Sequence, residues 1–183
     1  IKRGPDNFHS INFSKKYPEE YDDLMKYCCS DTNFLHIVIT DIYYDNIQIL
    51  GYANMPGNYY NAVIINPNSL PEPSILGSHS EGKTLVHEIG HFFGLYHTFH
   101  MNERYCNKSG NCKYCDRGQY NGCDEYSLDN GDFIDDTPSQ RYCNFSKCSF
   151  NSKQKLEECD SCPDEEGVDN TDNFMDYVDD QYM

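Results

Sequence analysis

The residues most able to do chemistry in this chain are His87, Glu88, His91, Gly94 and His97, in the run His87-Glu88-Ile89-Gly90-His91-Phe92-Phe93-Gly94-Leu95-Tyr96-His97. Residues four apart on an α-helix lie on one face, one turn above the other. A helix here therefore aims the imidazoles of His87 and His91 at one point, where they can bind one zinc ion. Glu88 sits about 100° around the helix from His87. It misses the ion, yet its carboxylate can reach a water beside it and take a proton. Gly94 takes a positive φ at little steric cost, so it can end the helix and turn the chain. That turn brings His97 back as a third ligand. Three protein ligands leave one position of a tetrahedral zinc open, which marks a catalytic site and not a structural one. A lone histidine on a helix is ordinarily a surface or satisfied core group. Five residue types at this fixed spacing are rare by composition alone.

The elements that must position the run are legible from apolar periodicity. Its own helix is expected to begin near Glu81 with Ser80 as N-cap, and to bury a stripe of Leu85, Ile89, Phe92 and Phe93. Tyr21, Leu24, Met25 and Cys28 follow helical spacing and predict an amphipathic helix over 19–27. The β-branched run Phe34–Thr40 reads as a buried strand, with His36 a core or sheet-face residue. Ile47–Ala53 and Ala62–Asn66 read as further strands, and Met55-Pro56-Gly57-Asn58 as the turn between them. Residues 1–18 read as an irregular lead-in. From His100 to Asp172 the chain is rich in Cys, Asn, Asp and Gly. Such a stretch buries little core and must be stapled or ordered by metal. No repeat or long linker divides the chain, so residues 1–183 are expected to form a single domain.

The charge balance excludes some partners. Lys and Arg total 14 against 30 Asp and Glu, a net charge of −16. Such a chain repels nucleic acid and anionic membrane surfaces. No apolar run approaches the ~18 residues of a membrane span. Ten cysteines point to an oxidising compartment, and the sequons at Asn12, Asn107 and Asn144 are compatible with secretion. Cys112-x-x-Cys115 and Cys159-x-x-Cys162 allow either disulfides, which an extracellular setting favours, or a four-cysteine zinc site. Asp132, Asp135, Asp136 and Thr137 gather hard oxygen ligands in one loop, which suits Ca²⁺ or an acidic turn closed by Pro138. The abrupt start at Ile1-Lys2-Arg3 reads as that of a mature piece or a fragment.

With these positions placed, the chain resembles the pappalysin family of metzincin zinc proteases from about Phe34 onward. Gly82-Lys83-Thr84-Leu85-Val86-His87, continuing through Tyr96-His97-Thr98-Phe99, carries the resemblance most strongly. Leu50-Gly51-Tyr52-Ala53-Asn54-Met55-Pro56, Gly131–Pro138 and Asn173-Phe174-Met175-Asp176-Tyr177 support it. The resemblance implies an α+β fold, a zincin-like metzincin catalytic domain. Its twisted, mostly parallel sheet would have backing and active-site helices, and its C-terminal lobe would be irregular and cysteine-rich. It implies that Met175 lies in a tight turn below the zinc and that Tyr177 stands beside the metal. It implies a calcium ion at Asp132, the Ile134 carbonyl and Thr137.

The function implied is that of a secreted zinc endopeptidase. His87, His91 and His97 would hold Zn²⁺, Glu88 would act as general base, and Tyr177 would stabilise the oxyanion. Protein or peptide substrates would add as a strand along Leu50–Met55. The chain is expected to act as a monomer. The alternative is an inactive metzincin-like binding module. Asp176, Asp179 and Asp180 suggest a basic residue just after the scissile bond, tempered by the neutral Gln181. Relatives place a cysteine where this chain has Tyr182, paired with one matching Cys162. Cys162 therefore needs another partner, and the domain is expected to be incomplete at its C-terminus.

Overall fold

The computed structural model describes residues 10–13, 18–44, 46–71, 80–99, 132–134, 136–140, 160, 162 and 166–177. The chain divides into two compact units, Ile1–Gly94 and Leu95–Met183.

In the first unit the elements run β1 (Ser10–Phe13), α1 (Pro18–Cys28), β2 (His36–Ile39), β3 (Asp41–Tyr44), β4 (Ile47–Gln48), β5 (Gly51–Ala53), β6 (Ala62–Ile65) and α2 (Lys83–Phe92). The helical spacing read in the sequence produces α1, which opens on Pro18, where a missing N–H costs nothing. Its Leu24 and Met25, with Cys29 just beyond, join Ile42, Tyr60, Ala62 and Ile64 in one buried cluster. Tyr21 donates its hydroxyl to Asn54 Oδ1 at 2.7 Å, and burial pushes that phenol up to about 12. The adjacent Cys28 and Cys29 are disulfide-linked.

The strands form two three-stranded sheets, ordered β1-β3-β4 and β2-β6-β5. Each holds a parallel pair of four residues and a shorter antiparallel pair. The α+β class and the predominance of parallel pairing are those expected. β6 is the centre of its sheet and is buried throughout. Its side chains alternate between faces. Ala62 and Ile64 join α1 in the cluster, while Val63 and Ile65 turn to the opposite face, where α2 lies. Fully burying each such Val or Ile is worth about 1.5–3 kcal/mol.

Three expectations need correction. The lead-in contains β1, paired in parallel register with β3; a four-residue polar-apolar stretch does not announce a partner so far along the chain. Ile47–Ala53 is not one strand. The chain leaves the first sheet after β4 and enters the second at β5, with Ile49 N–H still bonded to Ile42 O and Asn66 N–H to Leu50 O. Phe34–Thr40 gives β2, but at an edge, where Ile37 and Ile39 stay 48% and 57% exposed. Its β-branched run reads as doubly buried, whereas an edge strand has a neighbour on one side alone. The following β3 escapes the pattern because Asp41 and two tyrosines interrupt its apolar run.

The Met55–Asn58 turn closes as expected, with Asn58 N–H bonded to Met55 O at 3.2 Å. In the second unit, Cys162 is buried and disulfide-bonded. The positions of Cys112, Cys115, Cys159, Asp135, Asp179, Asp180, Gln181 and Tyr182 lie outside the described residues. Among the described residues, no helix is long and apolar enough to cross a membrane.

Candidate active site

Helix α2 begins at Lys83, later than expected. Ser80 is not its cap; Gly82, in a left-handed conformation, occupies that position without a side-chain hydrogen bond. The expected apolar stripe is also only partly core. Phe93 is 72% exposed, and the buried residues of α2 are Thr84, His87 and Glu88. The helix turns its polar groups inward. Burying such groups is costly unless they find partners.

His87 and His91 are each other's partner. Their Nε2 atoms lie 3.1 Å apart and their rings meet at 90°. Two nitrogens bound to one tetrahedral zinc at about 2.05 Å stand about 3.3 Å apart. The observed spacing is close to that edge, so the pair fits the ion with little movement. The helix then closes as the sequence predicts. Phe93 N–H bonds back to Ile89 and Gly90 carbonyls, Gly94 N–H to His91 O at 2.9 Å, and Gly94 has φ of +94°. Pro56 crowds the position, since a Cβ on Gly94 would stand 3.3 Å from Pro56 Cγ. Along this continuous stretch the ligand atoms of His87, His91 and His97 all lie within 4.8 Å of one another. Three neutral imidazoles are a donor set for zinc and not for calcium.

Glu88 is 7% exposed, and burial pushes its carboxyl up to about 8. A nearby cation favours the charged carboxylate and opposes that rise. Its side chain lies against Gly51 of β5. Burial, and then the Glu88 charge, also raise the neighbouring Tyr52 phenol.

His97 is held by rings. It stacks on Phe99 with centroids 5.0 Å apart and planes 12° from parallel. Tyr177 meets both edge-on, at 4.5 Å from His97 and 5.1 Å from Phe99. Thr98 N–H donates to Met175 O at 3.2 Å, which ties the third histidine's neighbour to the turn before Tyr177. That turn is the tight one expected of Met175. Met175 N–H bonds to Asn173 Oδ1, Asp176 N–H to Asn173 O, and Tyr177 N–H to Asp176 Oδ1. Asp176 itself is fully buried, so its expected pairing with a basic substrate side chain does not hold. A carboxylate with no exposed surface is closed to an incoming side chain. Phe99 is the neighbour of His97 that the sequence reading missed; no spacing rule announces a ring that stacks on a histidine.

Asp132 and Thr137 come together as expected. Asp132 is buried, accepts the Ile134 N–H at 3.1 Å and bonds the Thr137 side chain, while Thr137 N–H bonds to Ile134 O. Burial raises the Asp132 carboxyl, opposed by these hydrogen bonds.

A family model described as Pregnancy-associated plasma protein-A (Peptidase_M43) matches residues 19–183. The chain belongs to this family. The pappalysin resemblance read from the sequence is thus correct. An extracellular metalloprotease of Pyricularia oryzae is 36% identical over 138 residues, covering 72% of this pappalysin chain and 37% of the relative. One from Arthroderma gypseum is 39% identical over 114 residues, covering 62% and 28%. The chain therefore spans about a third of the length of these curated relatives. Among solved structures, Tannerella forsythia mature mirolysin in complex with a cleaved peptide aligns with a TM-score of 0.54 at 24% identity, over 82% of this chain and 46% of that one. Mirolysin in complex with compound 9 aligns with a TM-score of 0.56 at 20% identity, over 94% and 55%. The fold is that of a metzincin.

Proposed function

We propose that this pappalysin chain is the catalytic part of an extracellular zinc endopeptidase that cleaves protein or peptide substrates. His87, His91 and His97 would hold the ion. When bound, zinc supplies a Lewis acid and makes a water acidic near neutral pH. The rest falls to the chain's own side chains. Glu88 takes the proton of the attacking water and returns it to the leaving amine, which needs a carboxylate within hydrogen-bond reach and a pKa near the working pH. Tyr177 donates its hydroxyl to the carbonyl oxygen as that atom gains negative charge. At the edge of its sheet, β5 has β6 as its neighbour. An extended substrate can add there through backbone hydrogen bonds.

The observation that carries this reading is the gathering of three histidine ligand atoms next to a buried glutamate in a chain of a peptidase family. Names of relatives support an extracellular setting. An inactive binding module would have no need of the full set His87, Glu88, His91, His97 and Tyr177. We place a calcium ion at Asp132 and Thr137 in the same proposal, on the strength of their shared loop.

The test is a peptide-library digest read by mass spectrometry alongside metal analysis. Stoichiometric zinc, with cleavage that stops on chelation and returns with zinc, is the expected result. A zinc-loaded chain that cuts nothing would favour the binding module. Adding calcium to the chelated, zinc-restored chain should raise its melting temperature, and no shift would leave an acidic turn.

A further inference from the structure

Gly51 is a glycine without a conformational reason. Gly57, Gly82, Gly94 and Gly167 all have positive φ, but Gly51 does not. It sits in β5 opposite Ile65 in a backbone that any residue adopts. What reserves the position is a neighbour. A Cβ on Gly51 would lie 2.5 Å from Cγ, 2.6 Å from Oε1 and 2.8 Å from Cδ of Glu88. These separations are shorter than a Cβ keeps from atoms it is not bonded to, so a side chain at residue 51 and the present Glu88 conformation exclude each other.

The surroundings decide which group would give way. β5 is bonded to β6, whose Val63 and Ile65 are fully buried on the face toward α2. The strand therefore has little freedom to retreat, because interiors are close-packed. α2 carries His87 and His91 on the same rigid segment as Glu88, so moving the helix would move two ligands. The Glu88 side chain is left as the group that yields, by rotation about its own bonds. Its carboxylate would swing while the histidines stayed in place.

We propose that Gly51 is a positioning residue for Glu88: its missing side chain fixes where the carboxylate lies beside His87 and His91. This rests on the reading of Glu88 as general base. Gly51 touches no substrate and no metal in this account, and it acts through Glu88 alone.

The test is a double-substitution cycle on the 183-residue chain with Gly51→Ala, Glu88→Ala and both together. Gly51→Ala should keep stoichiometric zinc and leave KM nearly unchanged while kcat falls by about a hundredfold, the penalty of a misplacement on the order of 1 Å. The second readout is melting temperature. At an ordinary φ, Gly→Ala normally stabilises by restricting the unfolded chain. With Glu88 present the clash should reverse that sign and lower the melting temperature. In the Glu88→Ala background, where the space is open, the same substitution should raise it. Equal shifts in both backgrounds, or an undiminished kcat in Gly51→Ala, would overturn the proposal. Should Gly51→Ala fail to fold, recovery of folding by adding Glu88→Ala supports it, and continued failure overturns it. A wrong general-base reading shows itself separately, as cleavage by Glu88→Ala, and the melting cycle then still decides whether Gly51 makes room for that side chain.

Discussion

His87 and His97 offer the same imidazole chemistry, held in two different ways. His87 stands one turn below His91 on α2, placed by the helix's own hydrogen bonds, and that helix lies against β5 and β6. His97 has no regular element. It rests on the face of Phe99, on the edge of Tyr177 and on the bond from Thr98 to Met175. The first arrangement follows from local geometry. The second is assembled from parts far apart in the chain, each worth little: an aromatic pair contributes about 0.5–1.5 kcal/mol beyond its buried area. This arrangement also brings a phenol beside His97, on the residue that steadies it. It depends in return on long-range contacts that a single substitution can loosen.

Among the residues packed around His97, the largest effect is expected at Tyr177. Tyr177→Phe keeps the ring against His97 and removes the hydroxyl, so it separates holding from chemistry. Loss of one transition-state donor costs about 2.7–4 kcal/mol, and kcat should fall accordingly with a smaller change in KM. An unchanged kcat would reduce Tyr177 to a wall for His97 and remove the contrast between the two ligands.

Gly94 closes α2 three residues before His97, and its replacement comes next. Gly94→Ala forces a side chain into a left-handed conformation, at roughly 1–2 kcal/mol, and presses it on Pro56. Melting temperature and zinc affinity should both fall. Gly57→Ala is the control: its φ is also positive, but nothing lies within 4 Å of its Cβ. It should show the backbone cost with zinc affinity intact. Equal losses of zinc in the two variants would show that the Gly94 turn has no special part in zinc binding.

How much was legible in the sequence follows the same division. The His87–His97 run could be read because helical spacing alone aligns it, and Gly94 because a sharp turn needs such a residue. The Met175 turn and Tyr177 came from family resemblance, since nothing local links them to the histidines. Phe99 and Gly51 were hidden for one reason: each matters through the side chain it meets, and sequence order does not contain that meeting. The inward polar face of α2 was misread because apolar residues usually mark the buried side, whereas here Thr84, His87 and Glu88 take it. The break at Ile49-Leu50 stayed invisible because both halves are apolar and only their sheet partners differ.

The smallest effect is expected at Tyr21, on α1. Tyr21→Phe deletes the hydrogen bond to Asn54 and should cost about 1 kcal/mol with zinc binding unchanged. Tyr21 is raised from 10.0 to about 12 in the folded chain. A raised value contributes stability that is present below the unfolded value and lost as pH climbs through the folded one. Unfolding measured across that alkaline window should therefore lose part of its slope in Tyr21→Phe. An identical slope would mean that Tyr21 does not carry it.

The central claim is that the histidines hold zinc while Glu88 moves the proton. Zinc content and casein cleavage, measured together on the Glu88→Ala chain, test it most directly. Stoichiometric zinc with cleavage abolished is the expected result. Zinc lost along with activity would make Glu88 a ligand or a structural prop, and cleavage near the unsubstituted rate would remove it from the chemistry.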